Sequence, residues 1–397
     1  MKLILLMILS AAMPAFGGES LSLVPEVLRP SANSATSGAT AVLADAASSN
    51  RGDPNQIRLT LYWENDGNFA KEFDSHDRHY TAGVGMSLTW RAPWVDRLLT
   101  NVPSIGGEFS QGADVAMGVV GTLDIYTPED ITTTVRQADR PFAGYLYGGI
   151  FAQRAKRAAP PEFGLPKPGQ LLDPQSYSSF ESLEFDLGMM GPSSLGQNAQ
   201  EMIHHMIGDP VPSGWVNQIH DEPEFTLKYD RRWRSQAVRP FEKVPIAVQF
   251  IPELGITAGS LQDELRLGSF FRVGYNLPDD FGPGELSTPA DFTEEAPCTC
   301  PGIFDNILRN QSIYVFARPY GRFVAHNALL QGDNWRHDDP VTATPTPAVF
   351  AGQAGIAWRI FKHFELAYMT TYESPEFHGQ HGWDSWSSIQ FSFAVAW

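Results

Sequence analysis

The feature that most restricts this chain is a period of two. Apolar and polar residues alternate in one long run after another, which gives an extended strand two unlike faces and gives a helix no coherent stripe. The C-terminal run is the plainest: Ile389, Phe391, Phe393, Val395 and Trp397 alternate with Gln390, Ser392, Ala394 and Ala396. Near the other end, Ile57, Leu59, Leu61 and Trp63 alternate with Arg58, Thr60, Tyr62 and Glu64, and Ala82, Val84, Met86, Leu88 and Trp90 share one side of the next run. About twelve strand candidates follow, near 56–65, 79–91, 113–125, 142–155, 178–190, 224–235, 243–258, 265–277, 312–325, 347–359, 362–372 and 386–397.

Two architectures use such strands. A soluble β-sandwich alternates as well. A transmembrane barrel needs an even set of strands, each of about 9–11 residues or more, with an apolar outer face, aromatic girdles and a polar interior. The length and even number of the runs favour the second: an all-β, transmembrane antiparallel β-barrel of about 12 strands with one short helix in an extracellular loop. Aromatic residues at 12 %, 35 Gly, 30 Pro and charged residues at only 18 % suit strands joined by turns. Past the N-terminal run no apolar stretch reaches spanning-helix length, so entry into a bilayer requires a closed barrel; open sheet edges leave backbone groups unsatisfied in lipid.

The chain starts Met1-Lys2, runs uncharged from Leu3 to Phe16 and reaches small residues at Ala15 to Gly18. This reads as a signal peptide over 1–17, cleaved near Gly17. Residues 18–55, rich in Ala, Ser, Thr and Pro, read as a flexible lead-in, and 56–397 as the barrel. A formal charge of −17 argues against nucleic acid as a partner and is compatible with a polyanionic surface bridged by divalent cations. Cys298 and Cys300, one residue apart, would form a strained disulfide and a poor zinc site, so they read as a loop staple or a spectator pair.

With the first strand running outward, the connections after Glu64, Ile125, Met190, Thr257, Phe323 and Tyr372 fall outside. The connection from Arg359 to Lys362 is suitably short for the periplasmic side, whereas 92–112, 156–177 and 278–311 are long for it. The first hairpin then carries Asn65, Asp66 and Thr81 to the outer rim. Asn-Asp-Gly is a strong turn signal, and the same oxygens suit a hard cation such as Ca²⁺; both readings stand. A single helix is expected within 193–208, capped by Ser193 or Ser194, unbroken from Gln197 to Ile207 and stopped by Gly208 and Pro210. Gln200 and His204 share one of its faces, while Met202, Ile203, Met206 and Ile207 offer apolar surface for docking on the barrel or in lipid. His205 fits a favourable charge at a helix C-terminus. His204 lies on the same side as the oxygen-rich rim, and an imidazole beside a bound cation suits ester hydrolysis.

Several long motifs, in order, carry a family resemblance: WENDGNF and DRHYTAG (63–69 and 77–83), RPFAGYLYGG (140–149), LGMMGPSSLGQNAQEMIHHMIGDPVPSGWVNQIHDEP (187–223), FFRVGYNLPDDFGP (270–283) and GRFVAHNALLQGDNW (321–335). Through them the chain resembles the outer-membrane lipid A 3′-O-deacylases of the LpxR type. The resemblance implies a twelve-stranded barrel in the Gram-negative outer membrane, a monomer, with its active site facing outside between the wall and a loop helix. It implies calcium-dependent removal of the 3′-linked acyloxyacyl chain from lipid A, the lipopolysaccharide anchor. It assigns Asn65 and Asp66 to the calcium site, Thr81 to the hydroxyl beside it, Gln200 to the helix face and His204 to the catalytic base. Two departures stand out: Pro210 replaces a Glu found in some members, with Asp209 the nearest substitute, and the basic residue that some members carry after the third strand is not matched around Thr132 and Thr133, which bears on phosphate contacts. The rival functions are a porin, an inactive barrel homologue and a serine-type outer-membrane phospholipase using Ser193 or Ser194, although a helix cap already explains those serines.

Overall fold

The structure, a computed structural model, describes residues 56–66, 78–99, 113–135, 138–157, 177–240, 246–285, 293–294, 311–360 and 363–396. The expectations for 1–55 and for Cys298 and Cys300 fall outside these residues. The alternating runs become β1 (Gln56–Asn65), β2 (His79–Arg91), β3 (Ala113–Thr127), β4 (Ala143–Arg157), β5 (Tyr177–Met190), β6 (Glu222–Trp233), β7 (Ile246–Gly259), β8 (Gln262–Tyr275), β11 (Gln311–Asn327), β12 (Ala348–Ile360), β13 (Phe364–Glu373) and β14 (Asp384–Ala396). Two-residue strands β9 (Asp279–Asp280) and β10 (Thr293–Glu294) pair only with each other. Among the described residues the α-helices are α1 (Pro93–Leu99), α2 (Gly196–Ile207) and α3 (Ala328–Gln331), with two 3₁₀ turns at Pro192–Ser194 and Gly214–Asn217.

The twelve long strands form one closed barrel in which each pairs with its neighbour in sequence, β8 with β11, and β14 with β1. Closure is antiparallel and in register from Gln56↔Ala396 to Asn65↔Ser387. The faces decide between barrel and sandwich. Inward residues are polar and buried, among them Arg58, Thr60, Ser87, Gln153, Gln390 and Ser392, while Val84, Met86, Ile150, Leu187, Phe271 and Val315 are exposed on the outer wall. A soluble sandwich buries its apolar face; an apolar exterior around a polar interior is the pattern of a wall facing lipid. Among the described residues no helix is long and apolar enough to cross a membrane, so the strands do the crossing.

The lumen is packed with charge. After β8 the chain turns back into the barrel over residues 276–285. Asp280 there meets Arg272 of β8 and Arg359 of β12, the latter at 2.6 Å. Glu285 takes Arg266 and Arg318, each at 2.6 Å, and Phe281, fully buried, packs on Phe180 with ring centroids 5.3 Å apart. Desolvated guanidinium groups are tolerable only with such partners. This plug accounts for part of the connection that looked too long for the inner side. In 92–112, α1 similarly buries Val95 against Ala92 and Val115.

Candidate active site

The outer end of the first hairpin brings Asn65, Asp66 and Thr81 together. Asn65 pairs with Ala82 across the ladder, Asn65 Nδ2 donates to the Thr81 carbonyl at 3.4 Å, and the Asp66 backbone N–H donates to the same oxygen at 3.0 Å. Asp66 Oδ2 accepts from the Arg78 backbone N–H at 2.9 Å. These bonds close the rim end of the hairpin and set Asn65, Asp66 and Thr81 beside one another; the turn itself lies outside the described residues.

Thr81 reaches this position through a β-bulge. Register between β2 and β3 shifts between Tyr80 and Ala82, so Thr81 is the extra residue. Tyr80 faces the lumen, where its hydroxyl donates to Glu64 at 2.7 Å, and Thr81 turns the other way, its Oγ1 lying 2.7 Å from Thr127 Oγ1. A bulge re-aims one side chain without altering the rest of the strand. Strict alternation would have sent Thr81 inward.

Helix α2 lies against β3 and β4. Its buried residues are Gly196, Gln200 and His204, spaced by four and hence stacked on one face. Close approach depends on two glycines: a Cβ on Gly144 would lie 3.1 Å from Gly196 Cα, and one on Gly196 only 2.9 Å from Gly144 Cα. Met202, Met206 and Ile207 are exposed and so do not dock on the barrel, while Ile203 is partly buried. The helix start also differs from expectation. Pro192–Ser194 form a 3₁₀ turn, and Leu195, with φ 65°, takes the N-cap position without a side-chain bond, while Ser194 Oγ accepts from the Gly196 N–H at 3.2 Å. Ser193 Oγ instead donates to Asp221 at 2.8 Å and Ser194 Oγ to the Gly191 carbonyl at 2.6 Å. Ser194 Oγ thus donates to a main-chain carbonyl, which is no base, and Asp221 braces Ser193 through both its hydroxyl and its backbone N–H, the latter at 2.6 Å.

At the other end Gly208, with φ 84°, lets the chain double back, its N–H donating to the His204 carbonyl at 2.8 Å. The Pro210 carbonyl then lies 2.7 Å from His204 Nδ1. A carbonyl only accepts, so Nδ1 is the donor in this contact, which selects the tautomer whose lone pair is on Nε2. Pro210 thus contributes a backbone oxygen that orients the histidine, whatever its side chain lacks. Gln200 Oε1 accepts from Trp215 Nε1 at 2.8 Å, and Trp215 packs on Phe142, ring centroids 5.1 Å apart, beside Ile125 of β3. Trp215 and Phe142 stand in quoted motifs, yet only the fold assigns them a role. β3 is common to both halves of the site: Thr127 bonds Thr81, and Ile125 supports the segment that holds Gln200.

The family model for outer membrane protein LpxR matches residues 34–163 and 170–395. The chain belongs to the LpxR family. LpxR from Salmonella typhimurium has a similar fold, with a TM-score of 0.59 over 85 % of this chain and 99 % of that one, at 18 % identity. Weaker likenesses are the β domain of the Bordetella autotransporter BrkA (TM-score 0.37, 7 % identity, 86 % of this chain and 99 % of that one) and the NalP translocator domain of Neisseria meningitidis (TM-score 0.34, 8 % identity, 89 % and 96 %). No curated protein matches the sequence. As an LpxR-family barrel the protein resides in the Gram-negative outer membrane.

Ion pairs brace the loops around the site of this LpxR-family chain. Glu376, between β13 and β14, accepts from Arg140 at 3.2 Å and from Arg322 at 2.8 Å. Burial pushes the Glu376 carboxyl up, but Arg322 and Arg140 outweigh it and hold the group down at about 2. Arg140 is thereby committed to the brace. Thr132 is tethered to the segment after α2: Ser213 Oγ donates to the Thr132 carbonyl at 2.6 Å.

Proposed function

We propose that this barrel is a calcium-dependent hydrolase that removes the 3′-linked acyloxyacyl chain from lipid A in the outer leaflet. The observation that carries the reading is His204: buried on the wall-facing stripe of α2, oriented through Nδ1 by the Pro210 carbonyl at 2.7 Å, and set across β3 from the oxygen group of the first hairpin. In this reading Nε2 takes a proton from water as the water oxygen attacks the ester carbonyl. The same proton is then delivered to the departing sugar oxygen, leaving a free hydroxyl on the sugar and a free carboxylic acid. General-base action of this kind contributes about 10²- to 10⁴-fold.

The donor set of Asn65, Asp66 and Thr81 is amide, carboxylate and hydroxyl oxygen, the chemistry a hard divalent cation selects. Asn65 and Asp66 would hold Ca²⁺, which when bound supplies positive charge to an ester oxygen as it becomes anionic. Thr81 stands beside them, and Gln200, fixed by Trp215, lines the helix side. Exposed Met202, Met206 and Ile207 suit acyl chains lying along the wall. The plugged lumen speaks against a porin, since Asp280, Phe281 and Glu285 occupy the space an aqueous channel needs.

Mass spectrometry of lipid A incubated with the purified barrel tests the reading. Loss of the 3′ acyloxyacyl mass with Ca²⁺, and no loss in excess chelator, is the expected result. Undiminished cleavage in chelator would remove the calcium role, and intact lipid A under both conditions would remove the activity.

A further inference from the structure

A second group of ligand-type side chains lies at the same mouth, away from the hairpin and the wall-facing side of α2. His220 ends the segment that follows α2, and Asp333, Asp338 and Asp339 lie between α3 and β12. His220 Nδ1 is 3.7 Å from Asp333 Oδ2, 3.2 Å from Asp338 Oδ1 and 2.9 Å from Asp339 Oδ1. Donor atoms of His220, Asp333 and Asp338 all lie within 4.8 Å of one another. Two ligands at tetrahedral angles, each about 2.0–2.1 Å from one zinc ion, are themselves about 3.4 Å apart. The spacing found here brackets that value.

Charge clustering alone would not single out this place; two buried atoms do. Asp333 is only 3 % exposed, and its Oδ2 has no hydrogen-bond partner. His220 Nδ1, facing it, is likewise buried and, although 2.9 Å from Asp339 Oδ1, is not aligned for a hydrogen bond to it. The other Asp333 oxygen is committed, accepting from the backbone N–H groups of Arg336 at 2.5 Å and His337 at 2.7 Å. Asp339 acts as the strut: its two carboxylate oxygens accept from His220 N at 2.6 Å and Asp333 N at 2.5 Å, holding the two loops together. An unsatisfied carboxylate oxygen aimed at an unsatisfied imidazole nitrogen is costly unless something positive lies between them.

We infer that His220, Asp333 and Asp338 bind a divalent transition-metal ion, best matched by Zn²⁺, at the outer mouth. One imidazole and two carboxylates suit zinc, whereas calcium takes six to eight oxygens. The side chains of Asp338 and His220 are 66 % and 40 % exposed, so the site opens to the medium and leaves a coordination position for water. The ion joins the segment that carries α2 to the loop between α3 and β12, so it restrains the mounting of His204 without touching the reacting atoms.

The test uses the full chain, tag-free and metal-stripped in detergent, titrated calorimetrically with ZnCl₂ in excess Ca²⁺. One zinc per chain is expected for the wild type and for Asp66→Asn, which alters only the hairpin oxygens. The double variant His220→Gln, Asp338→Asn changes two partly exposed side chains and should bind at least about 100-fold more weakly, because even outer-shell contacts to a metal are worth roughly 10- to 100-fold. Equal zinc binding by the wild type and the double variant would overturn the inference. So would no binding by the wild type, which would identify the cluster as a protonated histidine among carboxylates.

Discussion

The approach of α2 to the wall can be tested at one atom. Gly144→Ala places a Cβ in steric overlap with Ser194 Oγ, 3.1 Å from Gly196 Cα and 3.2 Å from Gly196 N, where carbon contacts settle near 3.5–4.0 Å. Ser194 Oγ can turn away only by giving up its bond to the Gly191 carbonyl, and the Gly196 atoms are backbone that cannot swing aside, so the start of the helix must retreat by at least about 0.5 Å. Overpacking of this kind costs about 1–3 kcal/mol, carried by the loop because the barrel ladder does not include α2. A displacement of about 1 Å at a catalytic group lowers turnover by roughly 10²-fold, so a loss of order tenfold is expected. Gly148→Ala is the control: it lies on the same strand and face, and its Cβ would meet nothing nearer than the Val120 carbonyl at 3.7 Å. Initial rates of lipid A deacylation, with heat-modifiable gel mobility to show a folded barrel, give the comparison. Equal rates for the two variants would refute the argument that the glycine contact sets the position of His204.

Trp215→Phe removes the donor to Gln200 and leaves a buried acceptor wanting, a loss of about 1–3 kcal/mol; kcat should fall roughly tenfold while barrel mobility on gels is unchanged. The Glu376 brace should show in acid. Its carboxyl is held down at about 2 when folded against about 4.3 in an unstructured chain, so its contribution is full above about 4.3 and is lost as pH falls through 2. Protection factors in 128–135 and 374–383, corrected for the intrinsic pH dependence of amide exchange, should therefore fall from pH 5 to pH 2.5 in the wild type, and Glu376→Gln should flatten that dependence.

The strands were legible because lipid outside and charge inside impose the same alternation along each of them: β1 and β2 run over the residues their patterns mark, and the other ten agree within a few positions. The site was legible as residue types and less so as geometry. The Thr81 bulge adds one residue without changing composition, so no pattern signals it. Amphipathic reasoning alone did not say which face of α2 meets the barrel; the structure turns polar Gln200 and His204 to the wall and Met202 and Met206 outward. The lumen plug reads locally as a Pro-Asp-Asp-Phe-Gly loop; its partners Arg272 and Arg359 are far apart in sequence and meet only once the barrel closes. The orienting contact on His204 comes from a main-chain carbonyl, which no side-chain motif records.

The central claim is that His204 is the base. Replacing it by Gln and measuring 3′-deacylation of lipid A at saturating Ca²⁺, in a barrel shown to be folded, addresses it most directly. The account predicts a loss of about 10²- to 10⁴-fold; turnover within a few-fold of the wild type would contradict it.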